Sequence, residues 1–235
     1  MPVVGVVIPT LNEADYLPPL LEDLAAVALP LDIVVADGGS RDDTRALAAA
    51  QGARVVEAAG GRGMQLRTGA QAASGAWLCF LHADVRLPPP ARRDLERAVL
   101  DPDCDAAVWR LAIGADGWWF RVVEWGAARR DRWGGLPYGD QGLLVRRTLY
   151  DAVGGFPPLP IMEDVALVRA LRRQATLRRL PSAVRVSARR WRREGAFRAW
   201  LRNAVLVSAY LLGVAPERLV RWYRPDHANR PSALP

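Results

Sequence analysis

Three short polar clusters each follow directly on a run of apolar side chains. Thr10, Asn12 and Glu13 come after VVGVVIP, Asp37 to Ser40 (DGGS) after LDIVVA, and His82-Ala83-Asp84 after AWLCFL. Carboxylates and an imidazole at the carboxyl ends of buried strands are the groups an open α/β sheet uses to hold and convert a polar substrate. The bland reading is that each cluster only forms a turn. A fourth pair, Glu163-Asp164, opens a helical stretch. It either complements the helix dipole, worth about 0.3–1 kcal/mol per carboxylate, or presents a base at the mouth of a crevice.

The elements between these clusters decide what can converge. Val3 to Ile8 reads as a buried strand ended by Pro9, and residues 14–27 as a helix. Leu31 to Ala36 is a second strand, and Ser40 is the expected N-cap of a helix running to Gln51. Strand 54–57, helix 64–73 closed by Gly75, and strand 76–81 follow. This alternation predicts βαβ units and a mostly parallel sheet, with the three clusters along one edge. Farther on, strands are expected at 106–113, 143–145 and 182–187 and helices at 118–130 and 163–174. The last of these helices has Val165, Val168 and Leu171 on one stripe and Arg169, Arg172 and Arg173 facing away.

Composition narrows the chemistry. The chain has 235 residues, a formal charge of +7, and no lysine, so every basic side chain is arginine. Lysine Schiff bases and P-loops are excluded. The two cysteines, Cys79 and Cys104, form neither a disulfide framework nor a metal-type spacing, and a reducing compartment is expected. The start has no basic leader and reads as a strand. The longest uncharged apolar run, 204–216, is too short to span a bilayer.

In order and spacing, VVIPTLNEADYLPPLLEDL, IVVADGGSRDDT, GAWLCFLHADVRL, GDQGLLVRR and IMEDVALVRALR resemble family 2 glycosyltransferases. The resemblance runs from about Val3 to Trp191. With HAD in place of the usual DxD, it is nearest to the bacterial "transferase 2" subfamily linked to radical-SAM and arsenosugar gene clusters. It implies a GT-A fold, a nucleotide-diphosphate-sugar donor, with UDP the expected nucleotide, a hydroxyl acceptor and a divalent cation, Mg²⁺ or Mn²⁺. Site residues carry over by position. Pro9, Thr10 and Glu13 would frame base and ribose, and Asp37 with Gly38 would take a hydrogen bond from the base edge. Arg62 and Gln65, in the loop and helix start 60–67, would lie near the nucleotide, as would Ala83. Arg67 stands where asparagine is expected. Asp84 would hold the metal, with His82 as a possible second ligand. Gly139, Asp140 and Gln141 would line the donor-sugar and acceptor side. Asp164 would be the base, with Glu163 the alternative. SARRW lacks the glutamine of the Q-x-x-R-W motif found in processive relatives, which disfavours polymer synthesis.

The resemblance divides the chain into a GT-A domain over 1–188, made of a nucleotide half 1–90 and an acceptor half 91–188. A helical appendage at 189–224 and a flexible tail at 225–235 complete it. A sugar nucleotidyltransferase fits worse: the Gly61-Arg62-Gly63 loop follows the third strand, and no catalytic lysine exists. A non-catalytic basic module is the other alternative, using the arginines of 189–202. Nucleic acid has no motif here beyond charge. Peripheral membrane contact through 189–212 fits the pairing of arginine with Trp and Leu, as does a helix that packs on the sheet and turns its arginines to water. The expected location is cytoplasmic, with the inner membrane face as the alternative.

Overall fold

The computed structural model describes residues 1–134, 139–189 and 195–223. Arg190, Trp191 and the tail 225–235, which figure in the sequence reading, lie outside the described residues.

The first half alternates as its periodicity requires. β1 (Val4–Thr10), β2 (Leu31–Asp37), β3 (Arg54–Glu57) and β4 (Trp77–Phe80) are all parallel, joined by α1 (Leu17–Ala25), α2 (Thr44–Ala50) and α3 (Arg62–Ala72). Then come β5 (Val85–Arg86), α4 (Pro89–Leu100), β6 (Ala106–Ile113), α5 (Trp118–Gly134), a 3₁₀ turn (Gly139–Gln141), β7 (Leu143–Arg146), α6 (Arg147–Ala152), α7 (Glu163–Gln174), β8 (Leu177–Val186), α8 (Ala196–Leu211) and α9 (Pro216–Leu219). The sheet order is β3-β2-β1-β4-β7-β6-β8-β5. The antiparallel pairs, β4·β7, β6·β7 and β5·β8, all involve the second half, so the sheet is mixed and not parallel throughout.

Strand alternation splits the core between two helix layers. Trp77, Cys79 and Leu81 pack with α1 and α4, while Leu78 and Phe80 pack with α3, α6 and α7. A third cluster joins Val165 and Val168 of α7 to Leu206 and Val207 of α8 and Leu219 of α9. Gly75 separates α3 from β4 at φ +101°, and a Cβ there would stand 2.3 Å from the Val3 carbonyl oxygen, so only glycine fits.

Three local expectations are corrected. β1 does not end at Pro9 but runs to Thr10. Pairing with β4 stops at Val7↔Phe80, so Pro9 lies where β1 has become an edge and its missing N–H removes no ladder bond on that side. Ser40 caps no helix, because α2 starts only at Thr44 and Ser40 is used by Asp37. β8 begins at Leu177, five residues before the expected strand. It carries Pro181 in a bulge opposite Trp109, where Asp94 Oδ2 accepts from the Ser182 amide at 2.9 Å in place of a ladder partner.

Candidate active site

The turns after β1 and β2 hold each other. Thr10 Oγ1 and Ser40 Oγ donate to Asp37 Oδ1 at 3.0 and 2.5 Å, and the amides of Gly39 and Ser40 donate to Oδ2 at 3.0 and 2.8 Å. The Asn12 amide donates to Ser40 Oγ at 2.9 Å, the Arg41 amide to Asn12 Oδ1 at 2.9 Å, and the Glu13 amide to Thr44 Oγ1 at 2.8 Å. Gln65 is buried behind this edge. Its Nε2 donates to the carbonyls of Thr10 at 2.7 Å and Ala36 at 3.1 Å, bracing the point where β1 and β2 part. Gly38 is the residue that lets it in, since a Cβ there would lie 2.7 Å from Gln65 Nε2. Asp37 is 1% exposed and its four ordinary acceptor positions are all taken by the chain. In this conformation the aspartate expected at the base edge shapes the turn.

Asp84 meets a residue that sequence reasoning left among the basic run. Arg189 donates from Nε to Asp84 Oδ2 at 3.1 Å and from Nη2 to Glu13 Oε1 at 2.6 Å, with its guanidinium 4.2 Å from the centre of the Tyr16 ring. β5 brings this about: Val85 pairs with Val186, and the Ser187 amide donates to the Asp84 carbonyl at 3.0 Å. Burial would lower the Arg189 pKa, but the Glu13 and Asp84 carboxylates outweigh it and hold the group above its ordinary value. Burial pushes Glu13 above the usual carboxylate range, and the Arg189 hydrogen bond offsets this only in part. Glu13 Oε2 is buried without a hydrogen-bond partner.

Among the described residues no group of three or more His, Cys, Asp or Glu side chains is gathered to hold a metal ion. Asp84 and Glu13 nevertheless place two carboxylates around one guanidinium, with Glu13 Oε2 buried and without a hydrogen-bond partner. Hard divalent cations take one or two such carboxylates and complete their shell with substrate phosphates and water. Asp84 and Glu13 supply oxygen donors of that kind.

Asp164, of the second carboxylate pair, lines a cleft together with Arg62 and His82 on its polar side and Phe80, Phe156 and Leu167 among others elsewhere. Glu163 is 1% exposed, and its Oε1 accepts from Arg62 Nε. Arg62 Nη2 also lies 3.7 Å from Asp164 Oδ2. Burial would lower the Arg62 pKa, yet Glu163 and Asp164 hold it above its ordinary value. In this conformation Arg62, expected near the nucleotide, takes its carboxylate partners from α7. Met162, the residue before α7, has φ +66°; it and Asn12 (φ +55°) are the non-glycine positive-φ residues among those described, and both flank the site. Backbone held in that region tends to mark functional sites.

The remaining expected residues divide. His82 lines the cleft with Asp164, while Asp84, two positions on, faces Arg189. Ala83 is buried between them. Gly139–Gln141 forms the 3₁₀ turn before β7, and Gln141 Oε1 is buried without a hydrogen-bond partner, as a group awaiting a ligand donor would be. Arg67 Nη1 donates to the Phe156 carbonyl at 2.9 Å, tying α3 to the loop before α7. Sequence reasoning missed the bracing role of Ser40 and the part of Arg189. DGGS read as an N-terminal cap concealed the first, and a separation of 105 residues from Asp84 the second.

Comparison with known proteins gives one family and a set of similar structures. The family model described as "Glycosyl transferase family 2" matches residues 5–158. Glucosyl-3-phosphoglycerate synthase from Mycobacterium tuberculosis, solved with Mn²⁺, UDP and glucosyl-3-phosphoglycerate, is 21% identical with a TM-score of 0.57, over 79% of this chain and 70% of that one. The mannosyltransferase PcManGT from Pyrobaculum calidifontis, solved with GDP-Man and Mn²⁺, is 20% identical with a TM-score of 0.60, over 94% and 68%. TarS 1-349 of S. aureus, solved with UDP-GlcNAc, is 18% identical with a TM-score of 0.61, over 78% and 58%. The chain thus spans 58–70% of these proteins. At these identities the likeness establishes the GT-A fold.

Proposed function

This chain belongs to glycosyl transferase family 2, and from that premise we propose that it moves a sugar from a nucleotide-diphosphate donor to a hydroxyl acceptor by a single inverting displacement. The observation that carries the reading is the unequal setting of the α7 carboxylates. Arg62 donates to buried Glu163 and stands farther off, at 3.7 Å, from Asp164, the carboxylate that lines the cleft beside His82.

On this reading the nucleotide lies over the turns of β1 and β2, where Thr10, Glu13 and the loop held by Asp37 shape its seat. Asp164 accepts the proton of the acceptor hydroxyl as that oxygen attacks the anomeric carbon and the diphosphate departs. Arg62, shared between Glu163 and Asp164, holds that carboxylate in place. Gln141 receives a sugar hydroxyl on its buried Oε1. A divalent cation, held by Asp84 when Arg189 releases it, would supply charge stabilisation to the leaving diphosphate. The donor is UDP-linked, the enzyme is non-processive, and it works in the cytoplasm. HAD in place of DxD supports placing it in the "transferase 2" subfamily.

The test separates the carboxylates. Asp164→Asn should leave UDP binding within about twofold of wild type and lower transfer by at least about 10²-fold, the usual worth of a general base. Glu163→Gln should retain most of the turnover. Equal loss in both variants would overturn the assignment. In calorimetry, Asp84→Ala should remove the Mn²⁺-dependent part of UDP binding; unchanged affinity with Mn²⁺ would remove the metal from this site.

A further inference from the structure

One face of the molecule exposes apolar side chains where the sequence reading allowed for arginines turned to water. α8 buries Leu206 and Val207 against α7, yet its opposite side is also apolar: Leu201 and Val205, at i and i+4, are exposed, and Leu212, just past the end of the helix, is 86% exposed. α5 adds Trp118, Val122 and Trp125 at i, i+4 and i+7, with the tryptophans 64% and 60% exposed, and Trp119 stacked on Trp118 at 3.8 Å. The two helices adjoin, since the Trp200 indole nitrogen lies 3.6 Å from where a Cβ on Gly126 would stand. Exposed apolar side chains gathered on two adjoining helices mark an interaction site.

Charge points to the partner. α8 contains no carboxylate in sixteen residues, and its charged side chains are Arg198 and Arg202. On α5, Arg129 lies over the Trp125 ring at 4.7 Å, and Glu124, whose carboxylate bonds Arg121 and the Ile113 amide, is turned to its own fold. A second copy of the chain would set arginines against arginines. Indole rings with arginine neighbours suit the boundary between headgroups and acyl chains, where the ring is half buried and the guanidinium meets phosphate. No helix among the described residues is long and apolar enough to cross a membrane.

We propose that α5 and α8 together form a docking face for an anionic lipid surface. α5, absent from the sequence reading of membrane contact, contributes the tryptophans; α8 contributes the aliphatic stripe and the basic charge. The proposal is independent of the donor chemistry.

The full chain is tested by co-sedimentation with phosphatidylcholine vesicles, with and without 30% phosphatidylglycerol. Binding should require the anionic lipid and fall as salt rises, each arginine at the surface contributing about fivefold. Tryptophan emission should shift to the blue and be quenched by brominated acyl chains. Trp118→Ser with Trp125→Ser, and separately Leu201→Gln with Val205→Gln, should each weaken binding by at least about tenfold while leaving UDP affinity unchanged. That control keeps failure of the docking face distinct from failure of the transferase reading. No binding to anionic vesicles at low salt, or equal binding to neutral ones, would overturn the proposal. So would a concentration-dependent dimer in sedimentation equilibrium that the same substitutions dissolve.

Discussion

Replacing Arg62 with methionine tests the electrostatic premise of the site. The substitution keeps an unbranched stem and deletes the guanidinium that meets Glu163, which is 1% exposed. Leaving one member of a buried ion pair without its partner costs about 3–5 kcal/mol. The Arg62 side chain is 37% exposed, so water reaches the gap and the lower end applies, about 3 kcal/mol. The longer contact to Asp164, at 3.7 Å, adds less than about 1 kcal/mol. For a chain of this size the loss corresponds to a fall in Tm of about 6–12 °C. Glu163→Gln keeps the shape and an acceptor for Arg62, and should cost about 1–2 kcal/mol. The double variant holds no uncompensated buried charge, so it should be more stable than Arg62→Met alone by about 1 kcal/mol or more. Urea unfolding followed by tryptophan fluorescence at pH 7.5 measures all four proteins. If Arg62→Met lies within about 0.5 kcal/mol of wild type, Glu163 is not the buried ion described here, and the case for Asp164 as sole base loses its footing.

Two further perturbations address the sheet edge and the acid limb of stability. Asp37→Ala removes all four bonds that Asp37 accepts and leaves the Gly39 and Ser40 amides without their acceptor. It should destabilise by about 2–4 kcal/mol and weaken UDP binding through the distorted turn, seen together in urea unfolding and calorimetry; an unchanged midpoint would sink the bracing role. Asp32 is held near pKa 2, below its ordinary 3.8, by the Arg54 hydrogen bonds first and those of Ser74 after them. A depressed carboxylate contributes stability that is complete above about pH 4 and is lost as pH falls through about 2. Because Arg54 is more than half exposed, the contribution is about 1 kcal/mol. Asp32→Asn should therefore narrow its gap to wild type between pH 4 and pH 2 in thermal scans, and a gap independent of pH would refute the linkage.

What sequence alone determined here is what local physics and ordered motifs carry. Apolar runs of strand length separated by helical stretches specify β1 to β4 and their parallel order, because βαβ connections admit few arrangements. Five motifs in register carried the family. The position of Asp164 at the start of α7 was legible from the helix pattern, and Gly75 from the junction it must turn. Tertiary structure alone decided which charges meet. Glu163 and Asp164 are adjacent in the chain and chemically similar, and what separates them is Arg62, 101 residues upstream and delivered by the packing of α3 beside α7. Asp84 and Glu13 share Arg189 only because the two-residue strand β5 pairs with β8. That strand is too short to have a periodicity, and Pro181 broke the pattern of its partner. The outward stripe of α8 is the same kind of case. Helical periodicity shows that the helix has two apolar sides, but only the position of α7 settles which is covered and which faces outward. Coulomb and packing energies depend on distance in space, and across a hundred residues chain spacing does not encode it.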